Sequence, residues 1–332
     1  MKKKGSIAVT GVAGFIGFHV AEALLQKGYQ VIGIDSMDPY YDLRLKRKRL
    51  AQLRSYKTFS FHKLSLINYF SLEKVLKHAR VGEIIHLAAQ AGVRYSLVNP
   101  WAYAQNNYVG TLNVFETARR LHIPRVIYAS SSSVYGGNTE TPFSESHRTD
   151  RPLSVYAASK KANEVLAYAY HHLFGIEVIG LRFFTVYGPW GRPDMAMFIF
   201  TKNILSGKPI KLYNRGKMKR SFTHVSDVVA PILALIKRSP AKRCEIFNLG
   251  GSEAVPLLRV VELIEKYVGK RAKYILLPLQ PGDVPDTLAD TRLARRKLGY
   301  KPSVSIEKGI GEFVEWFQKN KTFLLSLEEP KQ

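Results

Sequence analysis

Three glycines spaced by two residues, Gly11, Gly14 and Gly17, stand between a β-branched run, Ile7-Ala8-Val9-Thr10, and a helical pattern from Ile16 to Lys27 that Gly28 stops. No other stretch narrows the fold as far. A strand that passes at once into a helix needs glycine for the tight turn, for backbone approach to a pyrophosphate and for close packing of the helix. Any βα turn could use such glycines. The next strand, Gln30-Val31-Ile32-Gly33-Ile34-Asp35, however, closes on an acid 18 residues beyond Gly17. A carboxylate there can accept from both ribose hydroxyls of a dinucleotide and would repel a 2′-phosphate. The combination predicts an NAD site rather than an NADP site, with Gly11, Gly14, Phe15, Ile16, Gly17 and Asp35 against the cofactor. The basic run Arg44, Lys46, Arg47, Lys48 and Arg49 reads as a solvated helix face.

The rest of the first half repeats the alternation. Apolar runs at Ile84–Leu87, Arg125–Ala129 and Ile176–Leu181 are separated by helical patterns over Gly110–Leu121 and Val155–Leu173. Near-continuous apolar strands between helices predict an α/β fold, a doubly wound parallel sheet of the Rossmann kind covered on both faces. Beyond Tyr187 the elements shorten around Gly188-Pro189, Gly191-Arg192-Pro193 and Gly207-Lys208-Pro209. We therefore expect a dinucleotide-binding domain over 1–187, with a returning segment near 222–252 that brings Glu245–Gly250 back to the sheet. A smaller α/β C-terminal substrate lobe should comprise 188–221 and 253–327, followed by a polar tail, 328–332.

Composition limits the alternatives. With 46% hydrophobic residues the chain can bury a sizeable core. Fifty Lys and Arg against 26 Asp and Glu leave a formal charge of +24 and favour anionic partners. The charge is spread over helices and loops without spaced aromatics or zinc ligands, so no specific nucleic-acid partner is expected. One cysteine, Cys244, supports neither a disulfide framework nor a multi-cysteine metal site. His19, His86, His171, His172 and His224 are scattered, so no metal site is expected, and His86 reads as a satisfied residue at a strand end. No apolar run approaches the ~20 residues that span a bilayer, so no membrane partner is expected. Lys2-Lys3-Lys4 before an apolar run ending in Ala21-Glu22-Ala23 imitates a secretory signal, but the strand-turn-helix reading explains the glycines inside it. The expected location is cytoplasmic.

Chemistry enters with Tyr156-Ala157-Ala158-Ser159-Lys160. On a helix, i and i+4 share a face, so the phenol and the ammonium are neighbours. A nearby cation favours the phenolate and lowers its pKa, which makes the tyrosine a general base near neutrality. Ser130, Ser131, Ser132 and Ser133 follow the strand ending at Ala129, at the carboxyl edge where doubly wound sheets bind ligands. Four hydroxyls there would make a substrate clamp.

The glycine triplet, Asp35, Ser131, Tyr156 and Lys160 resemble the extended short-chain dehydrogenase/reductase family of nucleotide-sugar enzymes, over nearly the whole chain. The resemblance narrows to the UDP-glucuronate 4-epimerases through two long stretches. One is His86-Leu87-Ala88-Ala89-Gln90-Ala91-Gly92-Val93-Arg94-Tyr95-Ser96. The other runs from Leu181-Arg182-Phe183-Phe184-Thr185-Val186-Tyr187 through Gly188-Pro189-Trp190-Gly191-Arg192-Pro193-Asp194-Met195-Ala196.

That likeness implies oxidation of sugar C4 with bound NAD, turnover of the 4-keto sugar and reduction on its other face, linking UDP-glucuronate and UDP-galacturonate. It implies Tyr156 as the proton carrier, Lys160 as its tuner and ribose ligand, and Ser131 as a hydrogen-bond donor to the same oxygen. Leu66, Leu87, Ala88, Ala89 and Asn107 would join the cofactor site. Ser132, Ser133 and Thr185 would hold the sugar carboxylate. Arg192 would lie near uracil, Arg220 near the diphosphate, Asp283 near the uridine ribose, and Arg94 near the carboxylate or a phosphate. Related decarboxylases that form UDP-xylose carry a glutamate shortly after the position of Ser131; Ser132 and Ser133 disfavour that reading. Thr185 and the Arg192 motif disfavour a neutral UDP-sugar 4-epimerase, and the retained Ser131, Tyr156 and Lys160 disfavour an NAD-binding sensor. Ser65, Ser221 and Ser226 replace acids usual in relatives, and Ser65 would weaken NAD retention. Trp101–Leu121 and Val155–Leu173 carry more apolar positions than one sheet face needs; burial inside one chain would explain them, and the resemblance, in which relatives pair such helices, implies a homodimer.

Overall fold

The computed structural model describes residues 5–328; the Lys2-Lys3-Lys4 start and all but the first residue of the polar tail lie outside them. Seven parallel strands form one sheet: β1 (Ser6–Thr10), β2 (Gln30–Asp35), β3 (Phe59–Lys63), β4 (Val81–His86), β5 (Arg125–Ser131), β6 (Glu177–Phe183) and β7 (Cys244–Leu249). Their order is β7-β6-β5-β4-β1-β2-β3. Strands β1 and β6 are buried at every position, as a sheet covered on both faces requires. The covering helices include α1 (Phe15–Gln26), α2 (Leu43–Leu53), α3 (Tyr69–His78), α4 (Gly110–Arg120), α5 (Val155–Phe174) and α6 (Val225–Ile236). The protein is thus an α/β Rossmann-like fold, as its hydrophobic periodicity predicts.

Local chemistry sets the ends of the longest helix. Ser154 caps α5 by accepting from the Ala157 amide at 3.1 Å, and Gly175 ends it in the left-handed region at φ +68°. Just before α4, residues Ala104–Val109 widen into a π-helical stretch that apolar periodicity does not signal.

The smaller lobe packs helices Ala196–Leu205, Leu257–Val268 and Ile306–Lys319 around Phe198, Val260, Ile264, Phe313 and Phe317. Helix Arg292–Leu298, grouped with that lobe on sequence, packs instead against β7 and α6, where Ala294, Leu298 and Tyr300 join the core of the sheet. None of the helices among the described residues is long and apolar enough to cross a membrane.

The order of strands places the site. The chain runs from β1 outward through β2 and β3, then crosses to the other side of β1 for β4. The loops after β1 and β4 therefore diverge and open a crevice at the carboxyl edge. The β1–α1 turn is tight enough to exclude side chains at its glycines. Gly11 has φ +71°, and a Cβ there would lie 2.8 Å from the Ala88 backbone. A Cβ on Gly17 would run into the Gly11 carbonyl oxygen. Gly17→Ala should therefore force α1 away from the turn, costing about 1–3 kcal/mol. Scanning calorimetry should show a Tm lower by several degrees, and less dinucleotide should remain with the purified protein.

Candidate active site

One cavity of about 500 Å³ occupies that crevice, at the carboxyl edge of the sheet and bordered by the lobe. Its walls gather the residues of the glycine turn with Asp35, Leu66, Leu87, Ala88 and Ala89. On the facing side stand Ser131, Ser132, Ser133, Tyr156, Lys160, Thr185, Arg192 and Asp283. Residues up to 272 positions apart in sequence thus meet in a space of the size usual for small-molecule sites, ~300–1,000 Å³.

The serines do not act as one clamp. Ser130 turns its hydroxyl away to Glu164 Oε1 at 2.7 Å. Ser131 Oγ caps the short 3-10 turn Ser132–Tyr135 by accepting from the Ser133 amide at 3.1 Å, and it donates to Ser133 Oγ at 3.2 Å. All four serines line the cavity, but the Ser130 hydroxyl is taken up by Glu164. Behind them Glu164, one helical turn past Lys160, holds Arg182 at 2.8 and 2.9 Å. Arg182 donates to Tyr135 Oη at 2.9 Å, and that hydroxyl donates to Asn248 at 2.7 Å. This buried chain ties the helix of Tyr156 and Lys160 to the serine turn and to β7.

Three expected site residues stand back from the cavity wall. The side chain of Asn107 is fully buried, with Oδ1 accepting from the Gln90 amide at 2.7 Å and Nδ2 donating to Gln90 O at 3.0 Å and Ser159 Oγ at 2.9 Å. The π-helical stretch turns it inward, so it props the β4 loop against α5 while Asn106 faces the cavity. Arg94 pairs with Asp283 at 2.9 Å and lies 3.9 Å over the Tyr213 ring, at the mouth. Arg220 donates to the Lys219 and Pro285 carbonyls at 3.0 and 2.6 Å. Burial pulls its pKa down, opposed by Asp283 and Asp286.

This geometry matches known proteins. The chain matches the NAD dependent epimerase/dehydratase family over residues 7–250. It belongs to that family. It is 54% identical over 329 residues to an uncharacterized protein of Methanocaldococcus jannaschii, covering 98% of this chain and 100% of that one. It is 41% identical over 325 residues to the UDP-glucuronate 4-epimerase of Thermodesulfobacterium geofontis, covering 98% and 99%. The crystal structure of UDP-glucuronic acid 4-epimerase from Bacillus cereus with UDP-glucuronic acid and NAD superposes with a TM-score of 0.90 at 34% identity, covering 95% of this chain and 99% of that one.

The cofactor of this epimerase/dehydratase family is NAD, and the residues present suit it. With glycine at positions 11, 14 and 17, the amino end of α1 borders the cavity, a favourable seat for a diphosphate. Asp35 stands at the carboxyl end of β2 as expected, and it is already engaged. Its carboxylate accepts from the Ala13 amide at 3.1 Å, the Met37 amide at 2.8 Å and Lys46 Nζ at 3.3 Å. Lys46 also lines the cavity, and sequence reasoning missed it. The basic run is accordingly not all solvated. Arg44, Arg47 and Lys48 are exposed, but Lys46 and Arg49 are buried. Their places between Leu45, Leu50 and Leu53 on the apolar stripe of α2 were the available signal.

Electrostatics at the Tyr156–Lys160 pair differ from the sequence expectation. Burial raises the Tyr156 phenol, while the Ser131 hydroxyl beside it and the charge of Arg192 work the other way. Lys160 donates to the Ala129 carbonyl at 2.9 Å, and burial lowers its pKa to about 8. Burial also dominates at Arg192 and opposes its charge, yet the Asp194 carboxylate, 2.9 Å from Nε, raises its pKa overall.

His86 fills the structural place expected for it, between Thr10 Oγ1 at 2.8 Å and Thr111 Oγ1 at 2.9 Å. Among the described residues, no group of three or more His, Cys, Asp or Glu is placed to hold a metal.

Burial lowers the pKa of His86 to about 3. The unfolded chain then binds a proton below pH ~6.5 that the folded chain refuses. Stability should hold above that pH and fall as pH drops toward 3, by about 1.4 kcal/mol per unit from this group. Urea unfolding of the parent and of His86→Asn between pH 7 and pH 5 checks it: the variant should show the shallower loss.

Proposed function

We propose that the protein interconverts UDP-glucuronate and UDP-galacturonate by reversible oxidation at C4. The observation that carries the reading is the cavity wall itself. Ser131, Ser132, Ser133 and Thr185 line it together with Tyr156 and Lys160, and hydroxyls stand where a decarboxylase would need a carboxylate base.

NAD, when bound, supplies the hydride acceptor and donor for C4. Tyr156 Oη takes the 4-hydroxyl proton as the C4–H bond breaks and returns it after the 4-keto sugar has turned over. Ser131 Oγ donates to the same oxygen in both directions. Lys160 holds the nicotinamide ribose and keeps positive charge near the phenol. The keto sugar is a β-keto acid, prone to lose carbon dioxide; Ser132, Ser133 and Thr185 grip its carboxylate and restrain that loss. Arg192 and Asp283 take the uridine, and Arg94 and Arg220, beside Asp283, the remaining anionic groups. The cofactor ends each cycle as it began, so it stays bound in a cytoplasmic enzyme that needs no second redox substrate.

Incubation with UDP-glucuronate and no added NAD, followed by proton NMR, should show UDP-galacturonate without net NADH. Tyr156→Phe should lose roughly 10²–10⁴-fold in kcat with KM little changed. UDP-xylose and carbon dioxide would instead make the protein a decarboxylase. No reaction with NAD added would leave a dinucleotide-binding sensor or an enzyme of a different nucleotide sugar.

We also propose a homodimer. Leu97, Val98 and Trp101 are exposed beside α5, which itself exposes Val155, Val165, Tyr168 and Leu173. Sedimentation velocity should give twice the chain mass, and Trp101→Glu with Tyr168→Glu should shift it to the monomer. A parent that sediments as a monomer refutes the dimer.

A further inference from the structure

Arg49 is a charged side chain that the proposed chemistry leaves unused. Its residue is 0% exposed, and among the described residues no carboxylate pairs with it. A buried guanidinium without a counter-ion is costly unless its protons are taken up by fixed acceptors. Here the fork hands four of its five protons to carbonyl and phenol oxygens, and only Nε–H is left without a partner. Nη1 donates to Ala13 O at 2.9 Å and Tyr41 Oη at 2.8 Å. Nη2 donates to Trp190 O at 2.6 Å and Gly191 O at 3.3 Å. One arm therefore holds the middle of the glycine turn, and the other holds the segment that enters the lobe.

The second observation lies on that segment. Trp190 has φ +62°, a left-handed backbone that bulky residues rarely adopt. Its ring is wedged between Phe18 of α1 and Trp316 of the lobe, at 5.6 and 5.5 Å. Two residues on, Arg192 lines the cavity and is fixed by Asp194.

We propose that Arg49 is a positioning residue that couples the two halves of the site: it holds the Trp190–Gly191 turn in its left-handed form, in register with the glycine turn, and so sets Arg192 for the nucleotide of the substrate. This rests on the UDP-sugar reading given above. A lysine at 49 keeps the charge but offers one ammonium, which cannot reach both sets of acceptors as the planar fork does. Order at the glycine turn and order at the uridine side then become linked, and such linkage is reciprocal.

The test is UDP binding by titration calorimetry to the purified protein, Arg49→Lys, Arg192→Lys and the double variant, with retained NAD measured in each. Arg49→Lys should weaken UDP about tenfold. The double variant should bind within about twofold of Arg192→Lys alone, because residues acting through one another are not additive. Losses that add, or UDP binding equal to the parent, overturn the coupling. If the parent itself does not bind UDP, the UDP-sugar reading falls and the coupling with it. Should Arg49→Lys not fold, hydrogen exchange on the parent decides. Amides of 11–17 should exchange more slowly when UDP is added, and unchanged exchange there refutes the linkage.

Discussion

The steric closure of the β1–α1 turn sets the position of everything else at the site. With no room for a Cβ at Gly17 and little at Gly11, α1 starts directly under the crevice, and its first amides face the cavity. The switch of the chain from β3 back across β1 to β4 then supplies the opposite wall. Tyr156, Lys160 and the serine turn gain their places relative to that corner. Moving any of them independently would require shifting strands that are buried on both faces.

The buried polar groups around the cavity serve as ties between elements. Asn107 joins the β4 loop to α5, Glu164 and Arg182 join α5 to the serine turn and β6, and Arg49 joins the glycine turn to Trp190. Each is buried, where breaking one of these bonds would strand a polar group at a cost, so each tie favours one arrangement. The cavity wall is therefore held at several points by directional bonds, while the apolar clusters supply the bulk of cohesion without specifying angles.

Much of this was legible in the sequence because it follows from local periodicity and turn chemistry. The β1–α1 turn, Asp35, the Tyr156–Lys160 face and the parallel order of short apolar runs each express a constraint within a few residues. What escaped was set by tertiary contact. Nothing local says that Ser130 turns to Glu164 or that Asn107 is rotated inward by a π-helical stretch. The inward turn of Lys46 and Arg49 was half-visible. Both sit on the stripe of Leu45, Leu50 and Leu53, but a basic run invites the solvated reading unless its helical phase is followed. Ser221, read as a missing acid, is fully buried and donates to Gly251 O at 3.0 Å, where a longer carboxylate would meet a carbonyl.

The same burial that orders the site works against its chemistry. It raises the phenol of Tyr156 and lowers the ammonium of Lys160, so both groups are drawn toward their neutral forms. A general base needs the opposite at the phenol, and the correction must come from hydrogen bonds and fixed charge in the cavity. Ser131 provides the first, and Arg192 provides part of the second from the far side of the lobe boundary. Arg192 can act in that way only while its own charge is maintained, which Asp194 does, and while the turn before it stays in place. On the coupling proposed for Arg49, the support of that turn runs from the glycine turn through one left-handed tryptophan to the ion pair of Arg192 and Asp194.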